Sequence, residues 1–342
     1  RYQGAGSSMV NPTRVDSLKD AMEAAELDMV GYCAGYERSG KPNKTYLDEA
    51  VTQARLADIV ILCIGLDESS ESEGLDRTHI CIPAVQKEVL NAVTAVNPNV
   101  VAVVSAGSVI ETDWAAKCKA VVHGYLGGQA GAGAMMEVLT GWQNPCGKLA
   151  ETIPLRYEDT PAARYFPGEK QNAEYREGLY VGYRYYETAN KAVRYPFGYG
   201  LSYTTFAYSD LKVNADKVTF TITNTGSVAG AEIAQLYVAK PDAAVFRPAK
   251  ELKGFTKVFL KTGESKTVTI PLDDKTFRYW NVTTDRWEVE GGSYQLLVGA
   301  NVQDIRLTAE IALPGTGAPD PYAGKDLAHY RTAHVQEVPD AE

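Results

Sequence analysis

Apolar positions follow two rhythms along this chain, and the change falls near residue 206. Before it, unbroken apolar runs alternate with helical stretches. DIVILCIGL at 58–66, NVVAVVSAG at 99–107 and AVVHGYLGG at 120–128 have the pattern of parallel strands covered on both faces. LKDAMEAAELDM at 18–29 and TYLDEAVTQARL at 45–56 read as amphipathic helices. AVQKEVLNAVTAV at 84–96 reads as a helix opened by Pro83, and AGAMMEVLTG at 132–141 as another. Strand and helix in alternation predict an α/β sandwich on an open, mostly parallel sheet. RYQGAGSS at the start is turn-like with no strand before it. A sheet of this kind places its first strand upstream, so the chain is expected to begin inside a domain.

From 206 the texture is short alternating strands broken by Gly, Asn, Asp and Ser: TFAYSDLKV, KVTFTITNTG, AEIAQLYVAK, ELKGFTKVFLKTGESKTVTIPL and SYQLLVGAN. That spacing without helices predicts a β-sandwich of about seven strands. Between the two regions lies an aromatic, glycine-studded connection, YREGLYVGYRYYE and then YPFGYGLSYTTF. Tyr180, Tyr183, Tyr185 and Tyr186 fall in a strand-like part of it, where core and interdomain packing is the plain reading and a sugar-stacking platform the functional one. The last stretch is rich in Pro, Gly and charge and has no periodicity. The expected division is 1–160, 161–205, 206–313 and a linker-like 314–342.

Composition narrows the function classes. Across 342 residues, 45% hydrophobic and 23% charged content is ordinary for a globular protein. The sequence has no apolar run of about 18 or more residues and no charged-then-apolar leader. A net charge of −9 argues against nucleic acid or an anionic membrane as the main partner. The cysteines Cys33, Cys63, Cys81, Cys118 and Cys146 are scattered and odd in number, which suits reduced thiols in a cytoplasm. Cys63, inside an apolar strand, reads as a small hydrophobe. His79, His123, His329 and His334 have no metal-ligand spacing, so neither a metal site nor a cofactor is expected. Asn43-Lys44-Thr45 and Asn281-Val282-Thr283 match glycosylation sequons, a pattern common by chance and moot in a bacterial cytoplasm.

One charge run stands out. ESSESEGLDR at 68–77 follows the 58–66 run directly, and with Asp67 it holds five carboxylates against Arg77. Loops at the carboxyl ends of parallel strands are where open α/β sheets build sites. Such a run is either a solvated acidic loop or the seat of a catalytic carboxylate.

ESEGLDR after a strand, NPCGKLAETIP at 144–154, YREGLYVGYRYYE at 175–187 and YPFGYGLSYTTF at 195–206 occur in one order. Together they resemble the non-barrel part of the family 3 glycoside hydrolases, mostly β-glucosidases, over roughly residues 1–313. RYQGAGSSMVNP at 1–12 resembles the loop after the first strand of that family's α/β-sandwich domain. The resemblance implies that the all-β region is fibronectin type III-like. It implies an exo-acting retaining enzyme whose nucleophilic aspartate lies in a (β/α)8 barrel, with the acid/base glutamate on a loop of the α/β sandwich. No barrel is present in this sequence. A rearranged subgroup places its barrel last, and the closing VQEVPDAE resembles the junction to one. The implied partners are a β-glucoside or oligosaccharide and that barrel, and the chain alone is expected to be inactive.

Retaining hydrolysis needs two carboxyls about 5–5.5 Å apart, one of them an acid with a raised pKa. Glu73 matches the glutamate of the family's EG(x)DR pattern and is the candidate acid/base, with Glu71 as second candidate. Asp67 and Glu68 stand too close to the strand end, and Asp76 with Arg77 reads as a local pair or a helix cap. Ser7 and Ser8, in the Gly-rich stretch 3–8, and Arg77 are candidate substrate contacts; a tight turn alone is the plain alternative for the serines. Thr112-Asp113-Trp114 resembles the string around the family's nucleophile, but it sits at a strand-to-helix loop of the sandwich. A helix N-cap is the plain reading of Thr112 or Asp113. A β-xylosidase of the same family and a non-catalytic carbohydrate-binding module are the alternative functions.

Overall fold

The computed structural model describes residues 1–338 and separates into two compact units. Unit 1 comprises Arg1–Gln143 with Leu155–Tyr157. Its elements in order are α1 (Leu18–Ala24), α2 (Lys44–Leu56), β1 (Val60–Gly65), α3 (Ala84–Val96), β2 (Val100–Ser105), β3 (Ala120–His123) and α4 (Gly131–Thr140). The strands form a parallel sheet in the order β1-β2-β3, with Leu62 opposite Ala102 and Ala102 opposite Val121. One face carries Leu62, Ile64, Ala102 and Val104, packed under Ala50 and Ala54 of α2 and Val89, Leu90 and Val93 of α3. Burying the leucine, isoleucine and valine side chains among them contributes about 1.5–3 kcal/mol each.

Two polar side chains lock this layer. Asn97 Nδ2 donates to the carbonyls of Ala54 and Ala57 at 2.8 Å, joining the end of α3 to the end of α2. Gln86 of α3 accepts the Gly65 amide at 2.8 Å, closing off β1 where the acidic loop departs. Gly65 has φ +150°, and a Cβ there would lie 1.9 Å from the Ser105 carbonyl oxygen, so only glycine fits the strand's exit.

The helix and strand order is as expected, with corrections at the ends. Helix α1 stops at Ala24 rather than near residue 29, because Glu26 takes a left-handed backbone (φ +53°) that no Gly or Asn announces. Strand β3 has four residues; the chain leaves the sheet at Gly124 and Tyr125, the latter at φ +49°. Pro83 caps α3 rather than occupying its first turn. Cys63 is exposed, not enclosed as a small hydrophobe, because it points off the face opposite α2 and α3.

Unit 2 comprises Asn144–Pro154 and the chain from Glu158 onward. It contains β4 (Ile153–Pro154), α5 (Tyr183–Thr188), β5 (Val193–Tyr195), β6 (Phe206–Val213), β7 (Lys217–Asn224), β8 (Gly230–Ala239) and β9 (Glu251–Leu260). After these come β10 (Ser265–Pro271), β11 (Arg278–Asn281), β12 (Arg286–Val289), β13 (Gly292–Gly299), β14 (Ile305–Leu313) and α6 (Ala328–Arg331). Seven strands build the sandwich, as sheets β10-β7-β6 and β14-β13-β8-β9; β11 and β12 form a separate hairpin. Along β7, Val218, Phe220 and Ile222 alternate into the core, the two-residue period of a half-buried strand.

Strand β8 breaks that alternation and is nearly all buried. Ala234, Leu236 and Val238 face the sandwich core, while Tyr237 packs with Tyr183, Phe197 and Val302 on the other side. The aromatic connection therefore forms an outer layer of unit 2. Within it the strand-like tyrosine run is a short helix, α5, entered through Gly182 at φ +58°. Tyr180, Tyr183, Tyr185 and Tyr186 are buried there as core. The aperiodic stretch after 313 is docked up to residue 338. Ala333 and Val335 pack with Tyr180, Tyr185 and Tyr186, and the Tyr180 hydroxyl donates to the Tyr330 carbonyl. Residues 339–342, the end of the VQEVPDAE stretch read as a junction, lie outside the described residues. No helix among the described residues is long and apolar enough to cross a membrane.

Candidate active site

The three strands of unit 1 end on the same side, and the loops leaving them meet there: 67–77 after β1, 106–109 after β2, and 124–128 after β3. The chain start joins them, since the Gly128 amide donates to the Tyr2 carbonyl at 2.8 Å. All five sequence candidates lie on these segments.

The carboxylates of the acidic loop divide by what they hold. Asp67 closes the loop's first turn, its Oδ1 accepting the Ser69 and Ser70 amides at 3.0 and 2.8 Å and the Ser69 hydroxyl at 2.7 Å. Partial burial pushes its pKa up, but these bonds outweigh burial and the net shift is downward. Glu68 pairs with Arg38 at 2.5 Å; its own backbone amide and then Arg38 lower its pKa. Glu71 Oε1 accepts Arg1 Nη1 and the Gly107 amide, both at 2.7 Å, and its Oε2 accepts the Ser108 hydroxyl at 2.6 Å.

Glu73 differs from all three. Its Oε2 accepts the Ser7 amide at 2.6 Å and the side chain is otherwise exposed. The clasp depends on Gly6, at φ +87°, where a Cβ would come within 2.6 Å of Glu73 Cβ. Hydrogen bonding by Ser7, from its side chain first and its amide second, holds the Glu73 pKa below the usual glutamate value. A general acid near neutral pH requires the opposite shift, from burial or a neighbouring anion. Unit 1 supplies neither at Glu73.

Ser7 thus meets the candidate carboxylate with its side chain as well as its amide, and Ser8 is exposed beside it. Arg77 does not pair with Asp76. It turns inward instead, donating from Nη1 to the Ser108 hydroxyl and the Val109 carbonyl, each at 2.8 Å. Asp113 sits in a surface ion pair with Lys87 at 2.6 Å, and the 3-10 turn Ala115–Lys117 starts at the buried Trp114 without a side-chain cap. The N-cap reading of Thr112 or Asp113 therefore gives way to a packed indole and a surface pair. Sequence reasoning passed over Arg1, Gly107 and Ser108. The signal available was SAGS at 105–108, a Gly-Ser turn at the carboxyl end of the strand next to β1. His123 and Tyr125 stack at 4.0 Å at the end of β3, and burial holds the His123 pKa below its ordinary value.

Residues 1–203 match the Glycosyl hydrolase family 3 C-terminal domain, and residues 232–302 match the Fibronectin type III-like domain. An exo-alpha-(1->6)-L-arabinopyranosidase of Bifidobacterium breve is 45% identical over 328 residues, which are 94% of this chain and 43% of that protein. Thermostable beta-glucosidase B of Acetivibrio thermocellus is 44% identical, over 92% of this chain and 43% of its own length. Among solved structures, a GH3 beta-glucosidase of Bifidobacterium adolescentis superposes with a TM-score of 0.89 at 46% identity, covering 93% of this chain and 48% of that one. The chain spans less than half the length of each of these relatives.

Proposed function

The chain belongs to glycosyl hydrolase family 3, and on that premise we propose that it is the acid/base-bearing part of a retaining, exo-acting β-glucosidase. In this reading Glu73 protonates the glycosidic oxygen while an aspartate of a barrel outside this sequence attacks the anomeric carbon. The Glu73 carboxylate then removes a proton from the water that hydrolyses the glycosyl-enzyme. One observation carries the choice of residue. Glu71 spends its carboxylate on three donors within unit 1, whereas Glu73, two residues further along the same loop, keeps an exposed carboxylate held by one residue, Ser7.

The lowered pKa of Glu73 belongs to the reading. An ionised, exposed carboxylate is ready to act as a base, and it becomes a general acid only when a nearby anion and loss of solvent raise its pKa. A nucleophilic carboxylate about 5–5.5 Å away supplies the first of these. The chain alone should therefore not turn over β-glucosides. The test compares this chain with the product of the complete coding region on an aryl β-glucoside. Activity only in the complete protein supports the proposal, and sustained turnover by the purified chain sinks it.

A second reading concerns the sugar. The Bifidobacterium breve relative is an arabinopyranosidase, so the complete protein should be assayed on aryl α-L-arabinopyranoside beside aryl β-D-glucoside. A higher kcat/KM on the former would move the substrate assignment and leave the role of Glu73 untouched.

A further inference from the structure

Reading Glu73 as the acid/base leaves Glu71 without a part in the reaction, yet its side chain is 12% exposed and that of its partner Arg1 only 5%. An ionised pair so enclosed is costly unless its remaining hydrogen-bonding capacity is filled. Here it is filled: Arg1 also donates to the Gln3 carbonyl at 2.8 Å and the Asp67 carbonyl at 3.3 Å. The Glu71 carboxylate takes the Gly107 amide and the Ser108 hydroxyl besides, and Ser108 in turn accepts from Arg77. One carboxylate thus ties together the chain start, the acidic loop and the turn after β2. Glu73 lies two residues on, within roughly 7 Å of chain.

The geometry points to Glu71 as the positioning residue of the site: its anchoring of the loop to Arg1, Gly107 and Ser108 fixes where the Glu73 carboxyl stands. This rests on the reading of Glu73 as acid/base. Without the anchor, the segment bearing Glu73 keeps the Ser7 clasp, but the clasp itself loses its fixed base, because Arg1 begins the same strip of chain.

A misplaced acid has a kinetic signature that a weakened fold lacks. A dinitrophenyl β-glucoside expels its leaving group without protonation, whereas a methyl β-glucoside requires the proton. In the complete enzyme, kcat/KM on both substrates, which reports the glycosylation step, should be measured for Glu71→Ala, Glu71→Gln, Ser108→Ala and Glu73→Ala. Glu71→Ala is expected to lose roughly 100-fold on the methyl glucoside, the scale of an ångström-sized misplacement, and at most a few-fold on the dinitrophenyl glucoside. Glu71→Gln, which keeps one oxygen acceptor, should lose less in the same pattern. If every Glu71 variant lowers both substrates by one common factor, or changes neither, the positioning role is overturned. If Glu71→Ala fails to fold, Glu71→Gln and Ser108→Ala decide by the same ratio. If Glu73→Ala itself leaves the ratio of the two substrates unchanged, the acid/base assignment fails first.

Discussion

Strand β8 and the loop after β1 both carry polar side chains at crowded places, and they use them differently. On β8, Gln235 Nε2 donates to the Gly198 and Ala300 carbonyls at 3.1 and 2.8 Å, and its Oε1 accepts the Tyr237 hydroxyl at 2.6 Å. The whole side-chain amide is engaged, and its bond to Gly198 holds the outer layer of unit 2 to the sheet. On the loop, Glu71 is consumed in the same way, but Glu73 is exposed and clasped by Ser7 alone. A polar side chain with all its capacity engaged is part of the fold's own wiring. One left with capacity, at the carboxyl end of a parallel sheet, is available to something outside that fold.

The contrast can be broken first at its stronger end. Gln235→Leu should destabilise unit 2 by about 1–3 kcal/mol, because it strands two buried carbonyls. Urea unfolding followed through Trp280 and Trp287 of the β11–β12 hairpin reads the loss, and an unchanged midpoint would show that Gln235 is not structural. Glu73→Ala should shift the stability of this chain by no more than about 0.5 kcal/mol, the range of surface substitutions. A larger loss in thermal or urea unfolding would make Glu73 part of the wiring too.

The smallest effect concerns charge. Ser7 lowers the Glu73 pKa, so the contact is present above the unfolded-state value and is lost as pH falls through the lowered folded-state value. In an NMR titration of this chain, the Glu73 carboxyl and the Ser7 amide should titrate together, with a midpoint below the reference of about 4.3. In the complete protein the same carboxyl should titrate higher. A midpoint at or above the reference in the isolated chain would remove the clasp as a physical influence on Glu73.

Much of this was legible in the sequence, and what was not has identifiable causes. The alternation of strands and helices in unit 1 and the roughly seven strands of the sandwich follow from periodicity, because one-sided and two-sided burial write different patterns. Burial of β8 on both faces was hidden, because its outer cover comes from the aromatic connection roughly 35–55 residues earlier. The helix at Tyr183–Thr188 was hidden because buried tyrosines on every side erase the period that separates helix from strand. In the site, the family motif set Glu73 ahead of Glu71, but the difference in their surroundings could not be read. It depends on Arg1, Gly107 and Ser108, two of them more than 30 positions away and the third 70, and long-range pairing of that kind leaves no local trace.

The central claim is that Glu73 is the acid/base, and Glu73→Ala in the complete enzyme tests it most directly. The assay uses an aryl β-glucoside with a good leaving group, with and without azide. The account predicts that kcat falls by roughly 10²–10⁴-fold, and that azide restores turnover with β-glucosyl azide as the product. Near-wild-type activity without azide would contradict it and move the role to Glu71 or to another carboxylate.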